Sequence, residues 1–293
     1  MILVVSSQSY LGKSYIKFKK NKNIVSTFHR KKIFKNSKYF YLGKTEPEKI
    51  LSNKIDTCLL LITLKNKNSK TNEKTSNIEF KNFTKNLKMF IDILIRRKIH
   101  IIFFSTETVY ENLKDSKHNE KAKLKPINNY GKHKVEIEKY IESKTHKYSI
   151  LRLGRVYSSK RYKNNILTAM VNDIINSKKK NYIFSDDYEF SPLYLEDLNN
   201  ILELIIKKKI YGKYNVSGDQ SLTYYKLAKK IINKLKIKNK IKIEKNSIVN
   251  FSNFTKPGSI SMNNKNLKKK IKFKFTNTND FIIKYLRTNK SVK

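Results

Sequence analysis

The sequence predicts an α/β protein built on a doubly wound parallel sheet. Apolar runs of strand length alternate with stretches of helical spacing along the first half of the 293 residues. Those strands are apolar on both faces rather than on alternate residues, as happens when helices cover a sheet from both sides. The strand–helix alternation itself implies parallel pairing through helical crossovers.

In order, residues 1–5 (Met-Ile-Leu-Val-Val) form a short buried strand, followed by a turn and a helix near 12–20. A second strand covers 23–28, a weaker element lies around 39–42, and 46–51 is helical. Residues 57–63 form the next apolar strand, and the Lys- and Asn-rich stretch 65–77 reads as a loop. Over 80–98, Phe83, Leu87, Phe90, Ile91, Leu94 and Ile95 share one helical face, and 99–104 is again a buried strand. A helix over 130–143 and a strand over 149–153 follow. Beyond Tyr157 the pattern loosens: an amphipathic helix at 166–177, a helix at 198–206, a strand at 211–217, a helix at 222–235, then a mixed remainder.

Composition excludes several classes. With 39% hydrophobic residues, 18 Tyr and 16 Phe, the chain can build a core and is not a disordered protein. Its longest apolar runs, 58–62 and 99–104, are far short of a membrane span. The N-terminus lacks the basic start and cleavage site of a signal peptide, so a cytoplasmic location is expected. Cys58, the only cysteine, allows no disulfide framework and reads as a buried, inert thiol. The five histidines (His29, His100, His118, His133, His146) have no metal-ligand spacing, and His133 reads as a surface residue.

The formal net charge of +42 would attract polyanions. The lysines, however, are scattered and accompanied by many Asn and Ile, seven Gly, four Pro and no Trp. That is the signature of AT-rich codons, so charge alone does not make nucleic acid a partner. Runs such as 178–180 and 207–209 sit where helices end, where cations complement the helix dipole.

Four segments carry chemistry. After the first strand, Ser6, Ser9 and Gly12 stand three residues apart before a helix N-terminus, with Tyr10 and Leu11 between. The bland reading is an ordinary strand-turn-helix; the functional one is a phosphate turn. Tyr130 and Lys134 share a helix face, but Tyr15/Lys19, Tyr110/Lys114, Tyr140/Lys144 and Tyr225/Lys229 have the same spacing. Context singles out the first pair. Ser105-Thr106-Glu107-Thr108-Val109-Tyr110 follows a buried strand directly, Thr106 lies 24 residues before Tyr130, and Asn82 lies 23 before Ser105. The third segment is Ile150 to Tyr157 with Arg152 and Arg155; the fourth pairs 192–197 with 212–218.

These segments resemble the extended short-chain dehydrogenase/reductase family, the NAD-dependent epimerases and dehydratases, and are most like the dehydrorhamnose reductases, over roughly the first 220 residues. The resemblance implies a Rossmann-type NAD(P)-binding domain at 1–157 and a mixed α/β substrate-binding lid at 158–293, with 188–218 completing the sheet. It implies reduction of a 4-keto nucleotide sugar. Tyr130 is the proton donor, Thr106 holds the oxyanion, and Lys134 lowers the Tyr130 pKa and binds the ribose. Ser6, Ser9, Tyr10, Leu11, Gly12, Arg30, Asn82 and Lys134 are its cofactor residues, Asn82 opening its helix and acting on Lys134 through water. The resemblance also implies Glu107 and Arg152 as substrate residues, Glu107 as a second proton donor or simply a strand-end charge, and Arg152 meeting a diphosphate or forming an ion pair. Phe28-His29-Arg30-Lys31-Lys32 contains no acid, which favours NADP over NAD. A homodimer is compatible with the resemblance. The alternatives are an epimerase or dehydratase that retains NAD, and a non-catalytic Rossmann binding protein suggested by Ser6 and Ser9.

Overall fold

The computed structural model describes residues 1–20, 22–63, 73–113, 117–126, 128–158, 169–170, 173–174, 180–235, 241–250 and 258–288. Its main feature is a seven-stranded sheet in the order β11-β6-β5-β4-β1-β2-β3. The strands are β1 (Ile2–Val5), β2 (Ile24–Phe28), β3 (Lys38–Tyr39), β4 (Thr57–Leu60), β5 (His100–Thr106), β6 (Tyr148–Leu153) and β11 (Gly212–Val216). β1 runs parallel to both β2 and β4, with Ile2 opposite Ile24 on one side and Thr57 on the other. Strand order therefore reverses at β1, and a doubly wound sheet opens its ligand crevice outside the carboxyl ends of the strands at such a reversal.

The chain divides into two compact units, each assembled from separate stretches. The first holds residues 1–105, 128–151 and 203–213. Its helices are α1 (Tyr10–Phe18), α2 (Glu73–Arg96) and α3 (Asn129–Lys144). The expected face of α2 is the buried one: Leu87, Phe90, Ile91 and Leu94 are at most 2% exposed and join Leu3, Val5, Cys58, Leu60 and Ile101 in one core. Each such side chain contributes about 1.5–3 kcal/mol on leaving water. Across α2 and α3, Lys88 pairs with Glu136 at 2.6 Å and the Tyr140 hydroxyl donates to Asp92 at 2.8 Å.

The second unit holds residues 106–127, 152–202 and 214–293. It contains β7 (Arg155–Tyr157), β8 (Asn181–Ser185), β9 (Tyr188–Glu189), β10 (Pro192–Tyr194), β12 (Lys242–Asn246) and β13 (Gly258–Ser259). These make three parallel two-stranded pairs, β7/β10, β8/β12 and β9/β13. Helices α5 (Tyr224–Leu235), α6 (Lys265–Ile271) and α7 (Thr278–Thr288) accompany them, and α4 (Leu195–Lys207) spans the boundary. An aromatic core of Tyr157, Tyr188, Phe190, Tyr194 and Phe281 packs with Leu227, Ile231 and Ile232.

Several boundaries differ from the sequence reading. α2 begins at Glu73, inside the stretch read as loop, so Asn82 lies within the helix rather than opening it. The helix expected at 46–51 is a single 3-10 turn, Pro47–Lys49, because Pro47 and the short run leave nothing to propagate it. Strand β10 pairs with β7 outside the seven-stranded sheet. Most of the helix expected at 166–177 and residues 64–72 fall outside the described residues.

The glycine-poor composition shows at helix ends. Lys20, Lys98, Lys209 and Lys272 take left-handed backbone angles (φ 50 to 55) just past α1, α2, α4 and α6, where glycine is usual. A side chain there costs about 1–2 kcal/mol relative to right-handed backbone. Lys209→Gly, at an exposed position, is accordingly expected to stabilise the protein by about 1 kcal/mol, measured as a higher denaturant midpoint at unchanged slope.

Candidate active site

In the first unit, the turn after β1 sits at the sheet's reversal point. Ser6 occupies the left-handed region at φ 69, the conformation for which glycine is the ordinary choice. Its amide donates to Thr27 Oγ1 at 3.1 Å, and the Ser7 amide to the Thr27 carbonyl at 2.8 Å, tying the turn to β2. Ser9 caps α1: its Oγ accepts from the Gly12 amide at 3.1 Å. Gly12 is held by space, since a Cβ there would come within 3.0 Å of the Ser6 carbonyl and 3.1 Å of Leu61 Cδ1. Tyr10 and Leu11 form the first turn of α1, both partly exposed, and Arg30 is exposed two residues past β2.

This turn fits a dinucleotide. The Ser7 hydroxyl and Gln8 Oε1 are buried without a hydrogen-bond partner among the described residues; the first suits a phosphate oxygen, the second a hydroxyl donor. Ser6→Gly is expected to relieve the strained φ and stabilise the protein by about 1 kcal/mol, read by denaturation in the absence of ligand; a loss of stability contradicts the strain argument.

The Tyr130–Lys134 pair stands on the first turns of α3. Asn128 caps that helix, its Oδ1 accepting from the Gly131 amide at 2.8 Å. Lys134 is 2% exposed; its ammonium donates to the Phe104 carbonyl at 2.8 Å and lies 4.6 Å from the Phe103 ring centroid and 5.5 Å from that of Tyr130. Burial pulls its pKa down to about 8, against an opposing pull from the Glu138 carboxylate. Glu138 is itself fully buried and accepts a hydrogen bond from Ser105 Oγ. Tyr130 is 39% exposed, and its hydroxyl makes no hydrogen bond among the described residues. Burial nevertheless raises its pKa, and the Lys134 charge, directed at Phe104, does not reverse this. The lowering expected from sequence is absent in this arrangement.

His133 is the clearest correction. It is 1% exposed, pressed between Phe80 and Phe83 at ring distances of 5.0 and 5.4 Å, and burial lowers its pKa to about 4. Asn82 is exposed on α2 and makes no hydrogen bond to Lys134.

In the second unit, Thr106 ends β5 and caps the 3-10 turn Glu107–Val109, its Oγ1 accepting from the Thr108 amide at 3.3 Å. Glu107 is 4% exposed and paired through Oε1 with Arg155 Nε at 3.2 Å, while Oε2 is buried without a hydrogen-bond partner among the described residues. Burial raises its pKa to about 7; Arg155 opposes the rise without cancelling it. Arg155 also donates to the Tyr224 hydroxyl at 2.7 Å and packs on the rings of Phe190 and Tyr224. Arg152 is wholly buried: it donates to the Tyr110 hydroxyl at 2.9 Å and the Glu120 carbonyl at 3.0 Å, with Tyr110 passing on to Asn215 at 2.6 Å. Its guanidinium is committed to packing rather than presented to a diphosphate. The Glu107–Arg155–Tyr224 cluster has no sequence signal, because its members are 48 and 69 residues apart.

A doubly wound parallel sheet, a phosphate-type turn at its reversal and a Tyr–Lys pair on α3 together define a Rossmann-type protein of the extended short-chain dehydrogenase/reductase kind. Within that class the chain belongs to the family described as the RmlD substrate binding domain, which matches residues 82–290. A dTDP-D-glucose 4,6-dehydratase of Dictyostelium discoideum is 28% identical over 148 residues, covering 45% of this chain and 34% of that protein. The match thus spans about a third of that relative's length. The fold is shared with a dTDP-4-dehydrorhamnose reductase of Bacillus anthracis solved with NADP (TM-score 0.76, 18% identity, 98% and 99% of the two chains). It is shared equally with a UDP-N-acetylglucosamine 4-epimerase of Bacillus cereus (TM-score 0.74, 18% identity, 100% and 97%). Among the described residues no group of His, Cys, Asp and Glu could hold a metal ion, and no helix is long and apolar enough to cross a membrane.

Proposed function

We propose that this protein is an NAD(P)-dependent reductase of a 4-keto nucleotide sugar. The observation that carries the reading is the Tyr130–Lys134 pair, one residue partly exposed and the other a buried ammonium whose pKa lies near neutrality. A bound nicotinamide supplies the hydride. Tyr130 gives a proton to the carbonyl oxygen as negative charge develops there, and Thr106, at the end of β5, is the hydroxyl assigned to oxyanion stabilisation. Lys134 holds the ribose and, once drawn from Phe104 toward it, favours the phenolate that Tyr130 leaves behind. Ser6, Ser7, Ser9 and Gly12 hold the pyrophosphate, and Arg30, with no acid beside it at the end of β2, favours the 2′-phosphate of NADP.

The test is consumption of NADPH with dTDP-4-dehydrorhamnose; none, with NADPH bound, contradicts the reductase reading. Lys134 must carry its proton to work. Its folded pKa of about 8 therefore places the loss of turnover on the alkaline side, falling as pH rises through that value. An alkaline limb two or more units higher would contradict that assignment.

Two observations favour a second reading, a dehydratase or epimerase that keeps its NAD: the matching curated relative is named as a dehydratase, and Glu107, next to Thr106, is a buried carboxyl titrating near pH 7. Nicotinamide nucleotide co-purifying with the protein supports it; free exchange with added NADPH supports the reductase.

A further inference from the structure

We infer that Arg155 is a positioning residue: by tying up Oε1 of Glu107 it turns Oε2 to a hydroxyl of the sugar ring, which packs against the partly exposed Tyr224 ring. The inference rests on the nucleotide-sugar reading and deepens it.

Glu107 and Arg155 are paired between Oε1 and Nε, and the Arg155 backbone amide also bears on the carboxylate. A guanidinium facing a carboxylate ordinarily engages both oxygens. Here the remaining contacts of Arg155 hold it elsewhere, with its Nη1 bonded to Tyr224 and its plane over two rings. The carboxylate is therefore held in one orientation, and its second oxygen is buried without a hydrogen-bond partner among the described residues. A buried acceptor in that state is met by ordered water or by a ligand donor. Among the described residues, the groups that bear on it are the Arg155 guanidinium and the Tyr188 and Tyr224 phenols, and no second carboxylate does. Apolar rings beside a few fixed polar atoms are the ordinary make-up of a ligand wall. Pyranose rings present C–H faces to aromatics and hydroxyls to carboxylates, so this wall suits a sugar rather than a nucleobase or a diphosphate. Arg155 side-chain exposure of 28%, against 5% for Glu107, leaves the arginine as the reachable edge.

The experiment compares the dissociation constants of dTDP and dTDP-glucose, and of UDP and UDP-glucose, across pH 5.5–8.5 by calorimetry. The ratio within each pair isolates the sugar's contribution. In the wild type the sugar is expected to tighten binding about tenfold when Glu107 is ionised. The gain should disappear as pH falls through about 7. Glu107→Gln should remove that pH dependence, and Arg155→Gln should cut the gain to about threefold and move its midpoint to higher pH, with dTDP affinity unchanged. Arg155→Lys should restore part of the gain. A purely structural role would instead alter dTDP and dTDP-glucose alike. Wild-type binding without sugar discrimination overturns the proposal, as does an Arg155→Gln ratio and midpoint equal to wild type. Failure of the wild type to bind any of the four ligands overturns the nucleotide-sugar reading itself. If Arg155→Gln does not fold, Glu107→Gln, nearly isosteric, decides the matter alone.

Discussion

Replacing Tyr130 with Phe is expected to lower kcat by about 10²–10⁴-fold, the range that a well-placed general acid contributes. The dissociation constant for NADPH should not change. The separation follows from the geometry. The hydroxyl makes no internal hydrogen bond among the described residues, so its removal strands no partner and leaves the ring in place over Lys134. Lys134 is different, because its ammonium is buried and bonded to the Phe104 carbonyl. Removing it takes away the ribose contact and the hydrogen bond to that carbonyl, so Lys134→Met should weaken both cofactor binding and turnover. Single-turnover kinetics with saturating NADPH distinguish the two variants. A Tyr130→Phe enzyme within threefold of wild-type kcat would remove the hydroxyl from the chemistry.

Arg152→Ala is expected to have the largest effect on stability, about 3–5 kcal/mol. The side chain is fully buried, bridges Tyr110 and the Glu120 carbonyl, and lies with its guanidinium 5.0 Å from the Tyr110 ring centroid. Tyr110 in turn stacks flat on His118 at 4.7 Å and donates to Asn215, whose amide donates to the His118 carbonyl at 2.9 Å. Truncation opens a cavity and leaves Glu120 and Tyr110 short of partners in the interior of the second unit. Urea unfolding measures the loss; a change below 1 kcal/mol would mean that the network relaxes around the gap. The effect on nucleotide affinity should be confined to what lost stability explains, since the guanidinium faces no solvent.

The sheet was legible because its central strands are uniformly apolar: β1, β4 and most of β5 are buried on every residue, and nothing else in the chain competes for that pattern. The Tyr130–Lys134 pair was legible from its distance to the strand-end Ser105-Thr106, a local quantity. The start of α2 was not, because no apolar residue precedes Ile78 in that helix to reveal its period. His133 was misplaced because helical spacing places it off the Tyr130–Lys134 face but does not report that Phe80 and Phe83 of α2 cover it. Arg152 and Arg155 could not be told apart in a chain with 65 Lys and Arg residues. Their roles are fixed by partners far away in sequence, Tyr110 and Glu120 for one, Glu107 and Tyr224 for the other. Strand β12, Lys-Ile-Glu-Lys-Asn, pairs with β8 while keeping most side chains in water, so its composition does not announce it.

Whether the turn at Ser6–Gly12 takes a dinucleotide is tested most directly by titrating the folded protein with NADPH and with NADH while following nicotinamide fluorescence. Saturable binding in the micromolar range, tighter for NADPH and retained by Tyr130→Phe, is the predicted result. It would mean that a left-handed serine and a serine cap serve where glycines are usual. Absence of binding by either nucleotide would contradict the enzyme reading and leave the fold as a scaffold with another task.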